Sequence, residues 1–314
     1  MKTQFLILFT LVVLQSFGQI KTTKVSTSQE SKPLIYDSLS NFLGTNYELY
    51  KGQTLYLKGL REGRRRNGYK NFYSDYNYEI HTESKNIYKP NDVYYSDYKE
   101  IAEKYFEVLE IVLYPDSKDE KSLYGQRRYL KLKEKESENI CYFKYDELYE
   151  NNFPFLIVGY FEKIKQTIVG EKFVIKTPYF EGSSDYQTGK VITVKPGQAW
   201  ECIDLTIDSE LYRLLITWKN DSGERIIDDY HYLFELGGKS QIYTLKQANE
   251  YKAKFGLTNW LSILNNNVRV GMTEEMCILA WGKPNKINKA SYGDQWVYDD
   301  QYLYFENGKL KSFN

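Results

Sequence analysis

Residues 106–113 read Phe106-Glu107-Val108-Leu109-Glu110-Ile111-Val112-Leu113, and residues 200–207 read Trp200-Glu201-Cys202-Ile203-Asp204-Leu205-Thr206-Ile207. Every apolar position of the first stretch recurs in the second except Val112, which meets Thr206. Upstream, Gly52-Gln53-Thr54-Leu55-Tyr56-Leu57-Lys58 matches Gly170-Glu171-Lys172-Phe173-Val174-Ile175-Lys176, and downstream Tyr129 to Ile140 and Tyr212 to Ile226 each read strand, polar turn, strand. The same elements in the same order predict one β unit present twice, the first copy with the longer connection before its central strand. The segments are short, β-branched or aromatic, and bounded by turn formers such as Lys195-Pro196-Gly197 and Asn220-Asp221-Ser222-Gly223. Roughly five strands per copy must close or pair to hide their edges, so each copy is expected as a small antiparallel β-barrel-like unit. Cys202 stands where the other copy has Val108, which marks a small apolar site and not a reactive thiol.

Composition supports a β-rich reading. Tyr 31, Phe 16 and Trp 5 bring aromatic residues to 17% of the chain, and such residues favour pleated, half-buried strands. The 42 Lys+Arg balance the 42 Asp+Glu, so no net field gathers phosphate backbones, and nucleic acid is not the expected partner. With only His81 and His231, a histidine metal cluster is not expected either. Lys2, the apolar run Phe5 to Leu14 and the small residues Ser16 and Gly18 read as a signal peptide over 1–18, cut before Gln19. The apolar run is shorter than the roughly 20 residues of a spanning helix, so the mature chain is expected without a transmembrane segment. The first cysteine is Cys141, too late for a lipoprotein anchor. The expectation is an exported protein, periplasmic or secreted and not lipid-anchored, with a flexible leader over 19–44. Cys141, Cys202 and Cys277 permit at most one disulfide, contain no CxxC, and are expected as buried thiols.

The connection in the first copy is the candidate binding loop. Arg64 and Arg65 precede Tyr69, Tyr73 and Tyr76, and further tyrosines follow at 78, 88, 94, 95 and 98. Basic residues interleaved with aromatics can stack bases or hold anionic glycans, with nucleic acid a poor candidate for an exported chain; the other reading is that the rings cover the β unit while the arginines stay solvated. Asp228, Asp229 and His231 lie within four residues, but alternation on a strand lets only Asp229 and His231 share a face, so no metal site is expected. His81 between Glu79 and Glu83 reads as an ion-paired strand face. No GxSxG, HExxH, P-loop or GxGxxG occurs, and no catalytic residue and no cofactor are expected.

In the last 70 residues, apolar spacing predicts a helix from Tyr243 to Phe255 that stops at Gly256, and a second one capped by Thr258. A third begins at the cap Thr273 and ends at Trp281-Gly282-Lys283-Pro284. Strands over 295–298, 302–305 and 309–313 follow, with Asn307-Gly308 a type I′ hairpin signal. Gly271-Met272-Thr273, Gly282 and Pro284, then Trp296, Tyr298, Phe305 and Gly308 in this order resemble the SmpA/OmlA (BamE-like) domain. The resemblance implies a small α+β domain over 241–314 that acts as a non-catalytic interaction module of envelope assemblies. The strand pattern of the two preceding units, 45–150 and 151–240, resembles SH3-like barrels of exported bacterial proteins, which implies peptide binding. The fold class expected is thus mainly β with a C-terminal α+β domain. The function expected is a non-enzymatic cell-envelope module with a protein, peptide or glycan partner, and the competing reading is an enzyme or glycan-binding protein acting on envelope polymer through the aromatic loop.

Overall fold

The computed structural model describes residues 22–23, 36, 40–76, 85–114, 128–208, 210–234, 241–291 and 293–314. The expected signal peptide and the His81 face lie outside these residues. In chain order the elements are β1 (Thr22–Thr23), β2 (Thr54–Leu57), α1 (Glu62–Arg65), β3 (Phe72–Tyr73), α2 (Tyr98–Ile101), β4 (Tyr105–Leu113), β5 (Arg128–Glu134), β6 (Ile140–Tyr145) and β7 (Phe155–Ile157). Then come α3 (Val158–Ile168), β8 (Lys172–Ile175), α4 (Thr177–Phe180), β9 (Ala199–Asp208), β10 (Leu214–Asn220), β11 (Arg225–Asp229), α5 (Tyr230–Phe234) and β12 (Ile242–Thr244). The chain ends with α6 (Leu245–Phe255), α7 (Leu257–Leu264), α8 (Glu274–Trp281) and the strands β13 (Lys286–Ala290), β14 (Gly293–Val297), β15 (Tyr302–Glu306) and β16 (Lys309–Phe313).

The protein is mainly β, with three antiparallel sheets. The first runs β3-β6-β5-β4-β2-β7, the second β11-β10-β9-β8-β12 with β1 beside β9, and the third β13-β14-β15-β16. The first two share one pairing scheme. Leu55 faces Phe106 as Phe173 faces Trp200. Gly52 N donates to Val108 O (2.7 Å) as Gly170 N donates to Cys202 O (2.8 Å). The register shifts just after Val108 in one sheet and just after Cys202 in the other, which leaves Leu109 and Ile203 as the extra residues of matching bulges. Each sheet takes one edge strand from beyond the expected unit end: β7 pairs with β2, and β12 pairs with β8.

The sheets are open, which corrects the expectation of closed barrels. Three of the four edges of the two large sheets are guarded by other means. The outer strands β3, β7 and β12 have two or three residues each, too short to template another chain. At β7 the Asn41 side chain does the work of a neighbouring strand, donating from Nδ2 to Phe155 O (2.8 Å) and accepting at Oδ1 from Ile157 N (2.8 Å). Within the stretch expected as a leader, Tyr36 and Leu43 are likewise buried. Removing the Asn41 amide leaves a strand-edge N–H and C=O unpaired, so Asn41→Leu should lower stability in urea unfolding by about 1–3 kcal/mol; an unchanged midpoint would show that water replaces the amide at no cost.

One hydrophobic cluster spans both large sheets, with Phe106, Phe155, Trp200 and Trp218 fully enclosed. A second joins Val174 of β8 and Tyr243 of β12 to α6, α7, α8 and the last sheet through Trp260, Cys277, Ala280, Trp296 and Phe305. Helix α6 carries a capping box from Thr244 and Gln247 and ends at Gly256. Gly256 is also the cap of α7, a place that sequence reading gave to Thr258. Thr273 caps α8 by accepting from Met276 N, and Gly282 ends it at φ 86°. Asn307 and Gly308 sit at φ 50° and 70°, the two left-handed residues of a I′ turn. The last sheet has four strands where three were expected, the extra one being β13.

The link between the second sheet and α8 is a lysine. Lys176 is fully buried, and its ammonium donates to the carbonyls of Leu279 (2.7 Å) and Ala280 (3.1 Å) in the last turn of α8. A cation at a helix C-terminus meets both free carbonyls and the negative end of the helix dipole.

Candidate binding groove

The long connection of the first unit is built as a second layer on the edge of its sheet. Residues 72–73 pair with β6, Phe72 opposite Phe143 and Tyr73 opposite Tyr142. The returning chain is tied to this edge at two places. Tyr69 and Ser96 exchange both backbone hydrogen bonds at 2.9 Å, and Ser74 N donates to Asn86 O at 2.7 Å beside the Tyr73–Ile87 bridge. Gly68 permits the first tie, since a Cβ there would lie 2.1 Å from Ser96 O. Between the ties the two segments part and leave a groove of about 580 Å³, lined by residues 69–73, Ile87 and residues 93–95.

The rim is held by Asn91, whose Oδ1 accepts from Val93 N and Tyr95 N, both at 3.0 Å, and whose Nδ2 donates to Asn67 O at 2.9 Å. This Asx turn sets Tyr94 at φ 64°, a left-handed conformation costly for a ring-bearing residue, and so turns it outward. Tyr94 is 64% and Val93 42% exposed. Across the rim, Lys70 Nζ lies 5.3 Å from the centre of the Tyr95 ring.

Below the rim, a buried carboxylate pins the loop to the sheet. Glu134, fully enclosed at the end of β5, accepts from Tyr88 OH, Lys89 Nζ and Lys104 Nζ, each at 2.7 Å. Burial pushes its carboxyl up, but the hydrogen bonds from Lys104, Lys89 and Tyr88 outweigh this and hold it at about 2. Lys104 is raised in return, by its hydrogen bond to Glu134. Two cations around one carboxylate fix both ends of the 89–104 segment and hence the groove.

The structure separates the residues singled out by sequence. Arg64 and Arg65 are exposed on α1; the Arg65 guanidinium lies 5.3 Å over the Tyr98 ring, outside the groove lining. Tyr69 and Tyr73 line the groove but are buried; Tyr69 stacks on Tyr98 at 6.1 Å and donates from its hydroxyl to Lys58 O at 2.7 Å. Tyr76 packs on Tyr129 and Tyr142, in the small aromatic cluster that also holds Tyr73. Of these three rings, Tyr69 and Tyr73 are buried and Tyr76 is half-buried. Of the residues that face outward, Tyr94 stood among the loop tyrosines whereas Lys70 and Val93 did not stand out, although Asn91-Asp92 just before Val93 carries a legible turn signal.

His231 is exposed on α5, because the strand stops at Asp229; the alternation argument does not apply there. Asp229 accepts from His231 N (2.9 Å) and pairs with Arg213 (2.9 Å). No group of metal-ligating side chains occurs among the described residues. Cys141, Cys202 and Cys277 are buried and unpaired by disulfide; burial raises all three thiols, the latter two to about 12. The C-terminal motif residues are used in construction. Gly271 N donates to Leu310 O, Met272 is buried, Tyr298 OH donates to Gly282 O, and Trp296 packs on Phe305 at 4.5 Å; Pro284 follows the α8 cap. No helix among the described residues is long and apolar enough to cross a membrane. No family model, curated protein or solved structure matches the chain.

Proposed function

We propose that the chain is an exported, non-enzymatic protein of the cell envelope, periplasmic or secreted and not lipid-anchored, that binds a protein through the groove of its first unit. The observation that carries this reading is the rim, where Val93 and Tyr94 are held outward by a rigid Asx turn beside Lys70 and Tyr95. Tyrosine on a preordered loop supplies large contact area at low entropic cost, which suits protein recognition. An extended peptide segment fits a cleft between residues 69–73 and the turn at 93–95.

Residues 241–314 act in this reading as a BamE-like α+β module. Its support is the order of caps and turns, Thr273, Gly282 and Asn307-Gly308, around one core of α6 to α8 and the last sheet. Because the motif residues are spent on that core, the module holds the chain together and the groove supplies recognition. Replacing Val93 and Tyr94 by Ser touches no core contact and should weaken recovery of the envelope partner by about 2 kcal/mol, roughly thirtyfold, with thermal stability unchanged. Full recovery of the protein partner, or retained binding to an envelope glycan alone, would defeat the reading.

A further inference from the structure

Strands β4 and β9 hold one place in the two large sheets, and each pairs with the strand after it in the same register. Leu113 faces Arg128 as Ile207 faces Leu214, and Ile111 faces Leu130 as Leu205 faces Ile216. On the other side, the preceding strand covers each only at its start, β2 as far as Glu107 and β8 as far as Glu201. Val108 and Cys202 close that cover through Gly52 and Gly170. Beyond the bulge the backbone groups alternate in direction, so Ile111 and Leu113, like Leu205 and Ile207, turn N–H and C=O toward this edge.

In the second unit this edge is engaged. Asp204 Oδ1 accepts from Leu205 N (2.9 Å), Lys165 Nζ of α3 donates to Leu205 O (3.4 Å), and β1 lies antiparallel on the strand with Thr23 opposite Ile207. The first unit lacks all three among its described residues. Glu110, matched to Asp204, is drawn the other way, toward Lys131 of β5 (3.9 Å). A 3-10 turn, Gly44–Tyr50, stands before β2 where α3 stands before β8, and it holds no lysine. No described residue pairs with Ile111 or Leu113 on this side. Leu113 is 41% exposed and Ile111 half-buried, so open backbone groups meet solvent beside apolar side chains.

We propose that the open edge of β4, at Ile111 and Leu113, receives an extended, β-branched segment of a partner protein, which adds to the sheet antiparallel as β1 adds to β9. The matched edge defines the occupant. Leu205 and Ile207 stand where Ile111 and Leu113 do, and the Thr22-Thr23 pair lies on that edge in the native fold. Main-chain pairing supplies the affinity of such an addition, and the apolar flank its selectivity. The chain's own β1 is spent on β9, and that of a second copy is spent in the same way, so another protein supplies the strand. Strands β5 and β6 lie between this edge and the groove at β3, so the two surfaces are tested separately.

The experiment follows amide hydrogen exchange of the full chain by NMR, with and without the synthetic peptide Ile-Lys-Thr-Thr-Lys-Val, the sequence of residues 20–25. Without peptide, the amides of Ile111 and Leu113 should exchange roughly tenfold faster than that of Ile207, the matched group under β1. Saturating peptide should slow both by roughly tenfold and leave Lys70 and Tyr94 of the groove unchanged. A peptide with proline in place of both threonines, which has no N–H to donate there, should protect neither. With the photo-crosslinker p-benzoylphenylalanine at position 113, irradiation in an extract of the cells that make the chain should link a partner protein, and excess peptide should remove most of that adduct. The proposal is overturned if Ile111 and Leu113 exchange as slowly as Ile207 in the free chain, or if the peptide protects neither or protects only Lys70 and Tyr94. Equal protection by the proline peptide, a crosslink to a second copy, a crosslink that the peptide leaves intact, or no crosslink overturns it as well.

Discussion

Glu134→Ala should cost about 3 kcal/mol and abolish groove binding. Removing the carboxylate leaves Lys89, Lys104 and Tyr88 without their common acceptor, and breaking a buried pair from one side typically costs about 3–5 kcal/mol. The lower end applies because the two lysine side chains keep 19% and 24% exposure and can reach water. The same residue sets an acid limit. A carboxyl held at about 2, below its ordinary value of 4.5, contributes stability that is fully present above the unfolded value and is lost as pH falls through the folded one. Urea midpoints of the native chain should therefore fall as pH drops from about 4.5 toward 2, and Glu134→Gln should flatten that part of the profile. Parallel profiles for the two chains would remove Glu134 from the account.

Trp296→Ala should have an effect of similar size at the other end of the chain. Trp296 is 2% exposed and packed on Phe305, and truncating a buried Trp typically costs about 3–5 kcal/mol. Its reach extends beyond the last sheet. Val174 and Tyr243 belong to the same cluster, and Lys176 depends on the end of α8 for its acceptors. Once the C-terminal core opens, the Lys176 ammonium loses the two α8 carbonyls that it holds in the native fold. Limited proteolysis of Trp296→Ala should then cut within residues 170–244 as well as 266–314, while the first unit stays resistant. Cuts confined to 266–314 would show that the second unit stands without the module.

The pairing of the large sheets was legible because it depends on local signals used twice. Leu55 with Phe106 and Phe173 with Trp200 occupy the same places in the quoted blocks, and the same register follows. Caps and turns were equally readable at Thr273, Gly282 and Asn307-Gly308, where residue type dictates backbone conformation. Sheet closure was not, because Asn41 guards the β7 edge from a stretch whose polar composition reads as a leader. The groove was half legible. Aromatic density marked the loop, but the burial of Tyr69 and Tyr73 and the packing of Tyr76 follow from partners, Ser96, Tyr142 and Tyr129, that no local pattern reveals. Glu134 was one acid among 42 until the fold surrounded it with two lysines.

Photo-crosslinking from the position of Tyr94, with Tyr186 of the second unit, 43% exposed, as a surface control, tests protein recognition at the groove. A discrete protein adduct is expected from position 94 in the cell envelope and none from position 186. Equal adducts from both positions, or an adduct at 94 made only of glycan, would contradict it.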